Sequence, residues 1–354
     1  YHLGNRHFST EGLVIHRIPP VPVYTKQCSG ISIGKPVLDV LLMRKLMTVA
    51  RNGAYDVIHA HNYEAPPAAY AVRRRYGIPV VYHAHNTMFH ELPSYFHWRT
   101  VQYVARKTGR WMDRIIPGRA NAVIAVSEDQ QRYLMTQGVP AEKITVIPPC
   151  IEPETLAGGD RRRIRQRLGI GDAPVMLYTG GLQPYQNCRI LIDVLRHGLR
   201  DCPDLHLIIL ARSAPEWLKD HAHDEGVFDR VYFLQGRGLA FERDCLAAAD
   251  VGVIPRSHCI GFPVKLLNYL AAGLPVVCFQ GVNKGFTDGM DLLAVENGNV
   301  PAMADAVNKI LTDPDLRRTL IAHGSETLMT HHTWERAVDK ITGIYESLAR
   351  PSAV

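Results

Sequence analysis

Seven cysteines are scattered through the 354 residues with no Cys-x-x-Cys pair and no spacing that suits a metal ion. That distribution excludes a disulfide-stapled secreted scaffold and reads as reduced thiols in a cytoplasmic protein. No apolar run approaches the roughly 20 residues of a membrane-spanning helix, and the start carries no signal-peptide pattern. Basic residues are dispersed without interleaved aromatics, so no nucleic-acid partner is expected. No Asp-x-Asp pair sits in a loop suited to a metal–nucleotide complex, and no metal or other cofactor is expected. Charge is only mildly one-sided, +6 with a pI near 8.9. Such a balance suits an acidic small substrate, for example a nucleoside diphosphate, or a loose peripheral contact with an anionic membrane on its inner face.

What is present points to α/β architecture. At 46% hydrophobic and 21% charged residues, a chain of this length can build two domains, each with its own core. The organising stretch is residues 248–279. Val251-Gly252-Val253-Ile254 reads as a buried parallel strand. A loop follows, leaving through Gly261-Phe262-Pro263. Val264, Leu267, Leu270 and Ala271 recur at helical spacing, and Gly273 with Pro275 stops that helix. Val276-Val277-Cys278-Phe279 is the next strand. A loop outside the carboxyl end of a parallel strand, running into a helix amino terminus, is where α/β sheets bind anions and nucleotides. A core βαβ unit without a ligand has the same pattern.

The residues of this stretch carry a resemblance. Ala249-Asp250, Pro255, Gly261-Phe262-Pro263, Lys265 and the run Asn268-Tyr269-Leu270-Ala271-Ala272-Gly273-Leu274-Pro275-Val276-Val277 are similar to the nucleotide-sugar-binding signature of glycosyltransferase family 4 (group 1). The resemblance extends over nearly the whole chain. It implies the GT-B fold, two Rossmann-like domains with parallel sheets facing across a cleft. On that basis residues 1–148 form an acceptor-side domain, 149–330 the nucleotide-sugar domain, and 331–354 a last helix returning to the first domain, with Trp334 as its anchor. An early strand, glycine-rich loop and helix of the family have no counterpart, so the first domain is expected to be incomplete at its amino end. Residues 11–20 read as an edge strand ending in a proline turn.

Two successive strands in the first half end in His-Ala-His-Asn, at residues 59–62 and 83–86. Read as alternating along their strands, His59 and His61, like His83 and His85, are expected on opposite sheet faces. Only His61 and His85 are then left to share a site, and a metal is set aside. His61, Asn62 and Asn86 are assigned to the acceptor side. The resemblance implies that His85 faces the transferred sugar, as the catalytic candidate. Residues 87–96 read as a long acceptor-side loop. Residues 97–116 read as a helix burying Val101, Val104, Trp111, Met112 and Ile115. Arg99, Arg106, Arg110 and Arg114 lie on one face of it, seven, four and four residues apart. Either a solvated face or a rest on anionic lipid fits that pattern. Residues 164–168 read as a basic surface helix.

In the second half, Gly180-Gly181-Leu182-Gln183-Pro184-Tyr185-Gln186-Asn187 follows a strand and precedes a helix. Small residues there let backbone N–H groups approach a phosphate. Donor-site candidates are therefore Gly180, Gly181, Gln186, Asn187, Gly261, Phe262, Pro263, Lys265 and Asn268. Lys265 in a first helical turn is unfavourable with the dipole unless an anion sits beside it. Five positions depart from the family pattern, among them Cys150, where Asn-Gly-Val is usual. Gly181 and Gln186 occupy the places of a phosphate-binding Arg and Lys. Ile260 and Asn268 replace a Glu pair. Asn268 can still donate to and accept from a ribose hydroxyl. The first expectation is a glycosyltransferase that moves a sugar from a nucleotide sugar to a glycan or lipid-linked acceptor, with retention, in cell-surface polysaccharide or glycoconjugate synthesis. The alternative is a non-catalytic scaffold of the same fold that has lost donor-phosphate residues. A nucleotide-sugar epimerase is a third reading, lacking an identifiable carboxylate set.

Overall fold

The computed structural model describes residues 12–21, 24, 34–236 and 238–349. It divides into two compact units, Tyr1–Ile147 with Val338–Val354, and Pro148–Ala337. Among the described residues no helix is long and apolar enough to cross a membrane.

In the first unit α1 (Lys35–Asn52) precedes β1 (Ile58–His61), α2 (Ala65–Tyr76), β2 (Val80–Ala84), α3 (Met88–Glu91), α4 (Arg99–Arg119), β3 (Ala122–Ala125), α5 (Glu128–Thr136) and β4 (Ile144–Val146). The four strands are parallel and lie in chain order, β1-β2-β3-β4. Left-handed Gly77 closes α2 and the Ser127 side chain caps α5, as their residue types dictate. Ala60, Tyr82, Ala84, Val123 and Ala125 fill one buried face of the sheet.

Three expectations for this unit are corrected. Residues 13–20 form no strand: Pro19 and Pro20 remove ladder donors, and Leu13 and Val14 stand out in solvent. Residues 87–96 are folded rather than looped, as α3 and a 3₁₀ turn over Leu92–Tyr95. Buried Asp113 of α4 explains this. Its carboxylate accepts from the N–H groups of Met88 (2.8 Å) and Phe89 (2.9 Å) and from the hydroxyls of Tyr63 (2.5 Å) and Tyr133 (2.7 Å). Gly109 completes the contact, since a Cβ there would stand 2.4 Å from the Met88 carbonyl oxygen. The third correction is the orientation of α4. Its buried stripe is Ala105, Gly109, Asp113 and Ile116, whereas Val104 and Trp111 are 61% and 63% exposed. Small and polar residues take the inward positions because α3 packs so close.

The second unit carries α6 (Arg161–Leu168), β5 (Val175–Thr179), α7 (Arg189–Gly198), β6 (His206–Ala211), α8 (Glu216–Asp224), β7 (Val231–Gln235), α9 (Leu239–Ala248), β8 (Val251–Ile254), α10 (Val264–Ala271), β9 (Val276–Phe279), β10 (Leu293–Val295), α11 (Val300–Thr312) and α12 (Pro314–His331). Its six parallel strands run β10-β9-β8-β5-β6-β7, with apolar clusters on both faces. Every residue of β5, β6, β8 and β9 is buried, as continuous apolar strands require. A last helix, α13 (Trp334–Leu348), begins in this unit and passes into the first. Trp334, the first residue of α13, is 53% exposed.

Helix α6 is also corrected from a surface helix to a fastening. Arg165 is 4% exposed, and four of its N–H donors are used: Asp250, Ala248, Gly171 and Ala173 accept from it. Arg161 reaches the same carboxylate at 2.8 Å, Arg317 approaches it at 3.5 Å, and the Val175 N–H donates to it at 2.9 Å. Asp250 thus ties α6 and α12 to the roots of β5 and β8.

Candidate functional site

The second sheet is wound outward in two directions from β5: to β6 and β7 on one side, then back to β8, β9 and β10 on the other. The direction of winding reverses between the parallel neighbours β5 and β8, and the crevice at the carboxyl ends of such a strand pair is where open α/β sheets bind ligands. The loops leaving these two strands are residues 180–188 and 255–263, the two stretches singled out in the sequence. They enter α7 and α10, and no side chain caps either helix. Two helix amino termini thus carry partial positive charge without a capping acid.

Lys265 lies between these loops. Its Nζ stands 3.9 Å from the centre of the Tyr178 ring and 3.4 Å from Gln186 Oε1. Gly180 lies against it: φ is +123°, and a Cβ at that position would be 3.2 Å from Nζ. Glycine is needed there on both counts. Among the described residues no carboxylate pairs with Lys265. Burial, aided by the nearby Arg256 cation, lowers its pKa to about 7.

Gln186 ends a 3₁₀ turn, Pro184–Gln186, and so reaches Lys265 from the loop position where the resembling family carries a cation. Asn187 adopts φ 55° and its amide donates to Ser257 Oγ at 3.3 Å, linking the two loops. The Gly181 carbonyl accepts from Tyr178 Oη at 2.5 Å. Gly261 and Pro263 are buried at the entrance of α10. Phe262 points the other way, into the core beside His332, 5.3 Å between ring centres, and so serves packing. Asn268 is half-buried a turn further along α10, with no hydrogen bond from its amide to this cluster.

Sequence reasoning missed the walls of this cage. Tyr178 and Cys188 sit in runs that read only as strand and helix start. Tyr269, in the matched motif, is fully buried and its hydroxyl accepts from the Thr179 N–H at 2.7 Å, at the root of the glycine loop. Gly252 makes room for it, since a Cβ there would be 2.5 Å from the ring.

The first unit holds the four histidines, and here the expectation is overturned. Side chains along a strand repeat with period two, so His59 and His61 share a face, as do His83 and His85. All four rings stand together. His59 stacks on His61 at 4.4 Å and His83 on His85 at 4.5 Å. His59 Nε2 is 3.2 Å from His83 Nδ1, and His61 Nδ1 is 3.0 Å from His85 Nε2. Burial and mutual repulsion push His59 and His85 down to about 4 and His83 to about 3, and burial lowers His61. Asn62 turns the chain at φ 58° and Asn86 is exposed, its carbonyl accepting from Gln130 at 3.0 Å.

Comparison with known proteins places this geometry. The family described as Glycosyltransferase Family 4 matches residues 9–155, and that described as Glycosyl transferases group 1 matches residues 173–313. The D-inositol 3-phosphate glycosyltransferase of Acidothermus cellulolyticus is 30% identical over 317 residues, covering 83% of this chain and 67% of the relative. Among solved structures, sucrose-phosphate synthase from Thermosynechococcus elongatus superposes with a TM-score of 0.79 at 19% identity, over 94% of this chain and 82% of that one. Anabaena HepE, solved with UDP and glucose, gives a TM-score of 0.75 at 20% identity, over 89% and 83%. These likenesses identify the fold as GT-B.

Proposed function

The chain belongs to the family 4, group 1 glycosyltransferases, and from that premise we propose that it takes its sugar from a nucleoside-diphosphate donor held between β5 and β8. The carrying observation is Lys265: a half-buried amine without an acidic partner, at the switch point of the sheet, between two uncapped helix starts. The C1–oxygen bond to the diphosphate breaks with its electron pair leaving on the phosphate oxygen. Lys265, the backbone of Gly180 and Gly181 and the two helix dipoles stabilise that charge as it develops. The acceptor hydroxyl bonds to C1 and releases its proton. His85 is the residue assigned to the sugar, and His61, Asn62 and Asn86 to the acceptor. Retention, a role in polysaccharide or glycoconjugate synthesis and a lipid-linked acceptor are carried over from the family pattern. No metal is assigned to the transfer step.

The outward face of α4 supports a peripheral membrane contact. Arg99, Lys107 and Arg114 are exposed with Tyr103 and Trp111, while the guanidinium groups of Arg106 and Arg110 lie over the Phe89 ring of α3, 5.6 and 4.8 Å from its centre. Each basic residue near an anionic surface contributes about 1 kcal/mol, and interfacial aromatics add to it. Flotation with anionic but not zwitterionic vesicles is the expected outcome.

Calorimetric titration with UDP, GDP and ADP tests the donor reading. A charged hydrogen bond is worth about 1.5–3 kcal/mol, so Lys265→Ala should weaken the preferred nucleotide roughly ten- to a hundredfold. Failure of all three to bind would favour the scaffold reading, with Gly181, Gln186 and Ile260 as marks of a lost site.

A further inference from the structure

β1 and β2 bring four imidazoles onto one sheet face, and the transfer reading uses only two of them. His59, His61 and His83 each present a ring nitrogen within 4.8 Å of the other two. We propose that these three residues form a binding site for a divalent transition ion of the zinc class, with His85 or a solvent molecule in the fourth position.

Distance favours the assignment. Zinc–imidazole bonds of about 2.0–2.1 Å in a tetrahedron put ligand nitrogens roughly 3.3–3.4 Å apart. His59 Nε2 and His83 Nδ1 already stand at 3.2 Å. The rings now lie stacked along each strand, and their lone pairs converge by turning about χ2, a broad torsion in histidine. The backbone need not move, because both strands are fixed in register, with His61 directly opposite His83.

The surroundings favour it as well. A metal-bound histidine commonly donates its other ring N–H to an oxygen, which sets the tautomer and aims the lone pair. His59 Nδ1 has such a partner in the Tyr345 hydroxyl of α13, at 2.5 Å, leaving Nε2 towards His83. An all-imidazole set suits zinc, copper, nickel or cobalt and gives magnesium or calcium nothing to bind. His61 is exposed, which provides an entry path. A second cluster, Asp193, His221 and Glu225, has no such character, because Arg189 and Arg196 already reach its His221 and Glu225.

The inference does not rest on the donor site. Full-length chain stripped with a chelator would be titrated with Co²⁺ and then with Zn²⁺. One equivalent of Co²⁺ should develop the strong visible absorption of four-coordinate cobalt, and Zn²⁺ should discharge it and raise the melting temperature. His59→Gln and His83→Gln should each weaken Zn²⁺ about a hundredfold or more, and Tyr345→Phe about tenfold. His221→Ala should bind as the parent does. Absence of the cobalt band from the parent protein overturns the proposal, whatever the variants do. So does unchanged Zn²⁺ affinity in folded His59→Gln and His83→Gln.

Discussion

If Lys265 meets the donor diphosphate as proposed, donor binding is coupled to proton uptake, and the size of that coupling can be worked out. In the free protein its pKa is lowered to about 7, by burial first and the Arg256 cation second. A diphosphate against the amine supplies the missing counter-charge and returns the pKa towards its ordinary value of about 10.4. Below pH 7 the lysine is charged in both states and contributes no pH dependence. Above pH 7 the free protein must take up a proton in order to bind. Affinity should then fall about tenfold per pH unit, roughly a hundredfold between pH 7 and 9. The last ionisation of the phosphate, near pH 6, is complete by then and does not interfere. Titration of UDP at pH 8 in two buffers of different ionisation enthalpy reads the protons directly, and close to one should be absorbed per nucleotide bound. Lys265→Met should bind more weakly, absorb none and show a flat profile. If the parent protein absorbs no proton at pH 8, or the Met variant keeps the slope, the lysine does not meet the diphosphate.

The same burial has a converse effect on stability. Between pH 7 and about 10.4 the unfolded chain binds more protons at this site than the folded one, so the term it adds to stability rises with pH, and ligand-free Lys265→Met should melt higher than the parent at pH 6. Asp250→Ala strands buried Arg165 without its carboxylate and should cost about 3–5 kcal/mol in urea denaturation. Gly252→Ala drives a methyl into the Tyr269 ring and should cost about 1–3 kcal/mol while loosening nucleotide binding, because that ring anchors Thr179. By the role proposed for it, His85→Ala should abolish turnover with nucleotide affinity unchanged; retained turnover would remove it from the chemistry.

Much of the second unit was legible because its signals are local. β8, α10 and β9 follow from an apolar β-branched run, a 3.6-residue period and a Gly-x-Pro stop, and the two ligand loops from their glycines. What escaped depends on partners far along the chain. Nothing local in residues 161–167 says that two of those arginines turn inward to Asp250, over eighty residues away. Tyr178 reads as one more strand residue until Lys265 is laid over its ring. The inward face of α4 was misread because Trp and Val look like core, while the true contact uses Ala105, Gly109 and Asp113 to let α3 approach. The histidines were within reach of sequence reasoning, since a period of two alone puts His59 beside His61 and His83 beside His85.

Asp113 has a mechanical consequence. It grips the first two N–H groups of α3, which begins three residues after His85, and it belongs to α4, whose Arg106 and Arg110 also lie over the Phe89 ring of α3. With Gly109 pressed on the same turn, α3 is held tightly against α4. A displacement of α4 would therefore carry the start of α3 with it, and with α3 the short bend at residues 85–87 that holds His85.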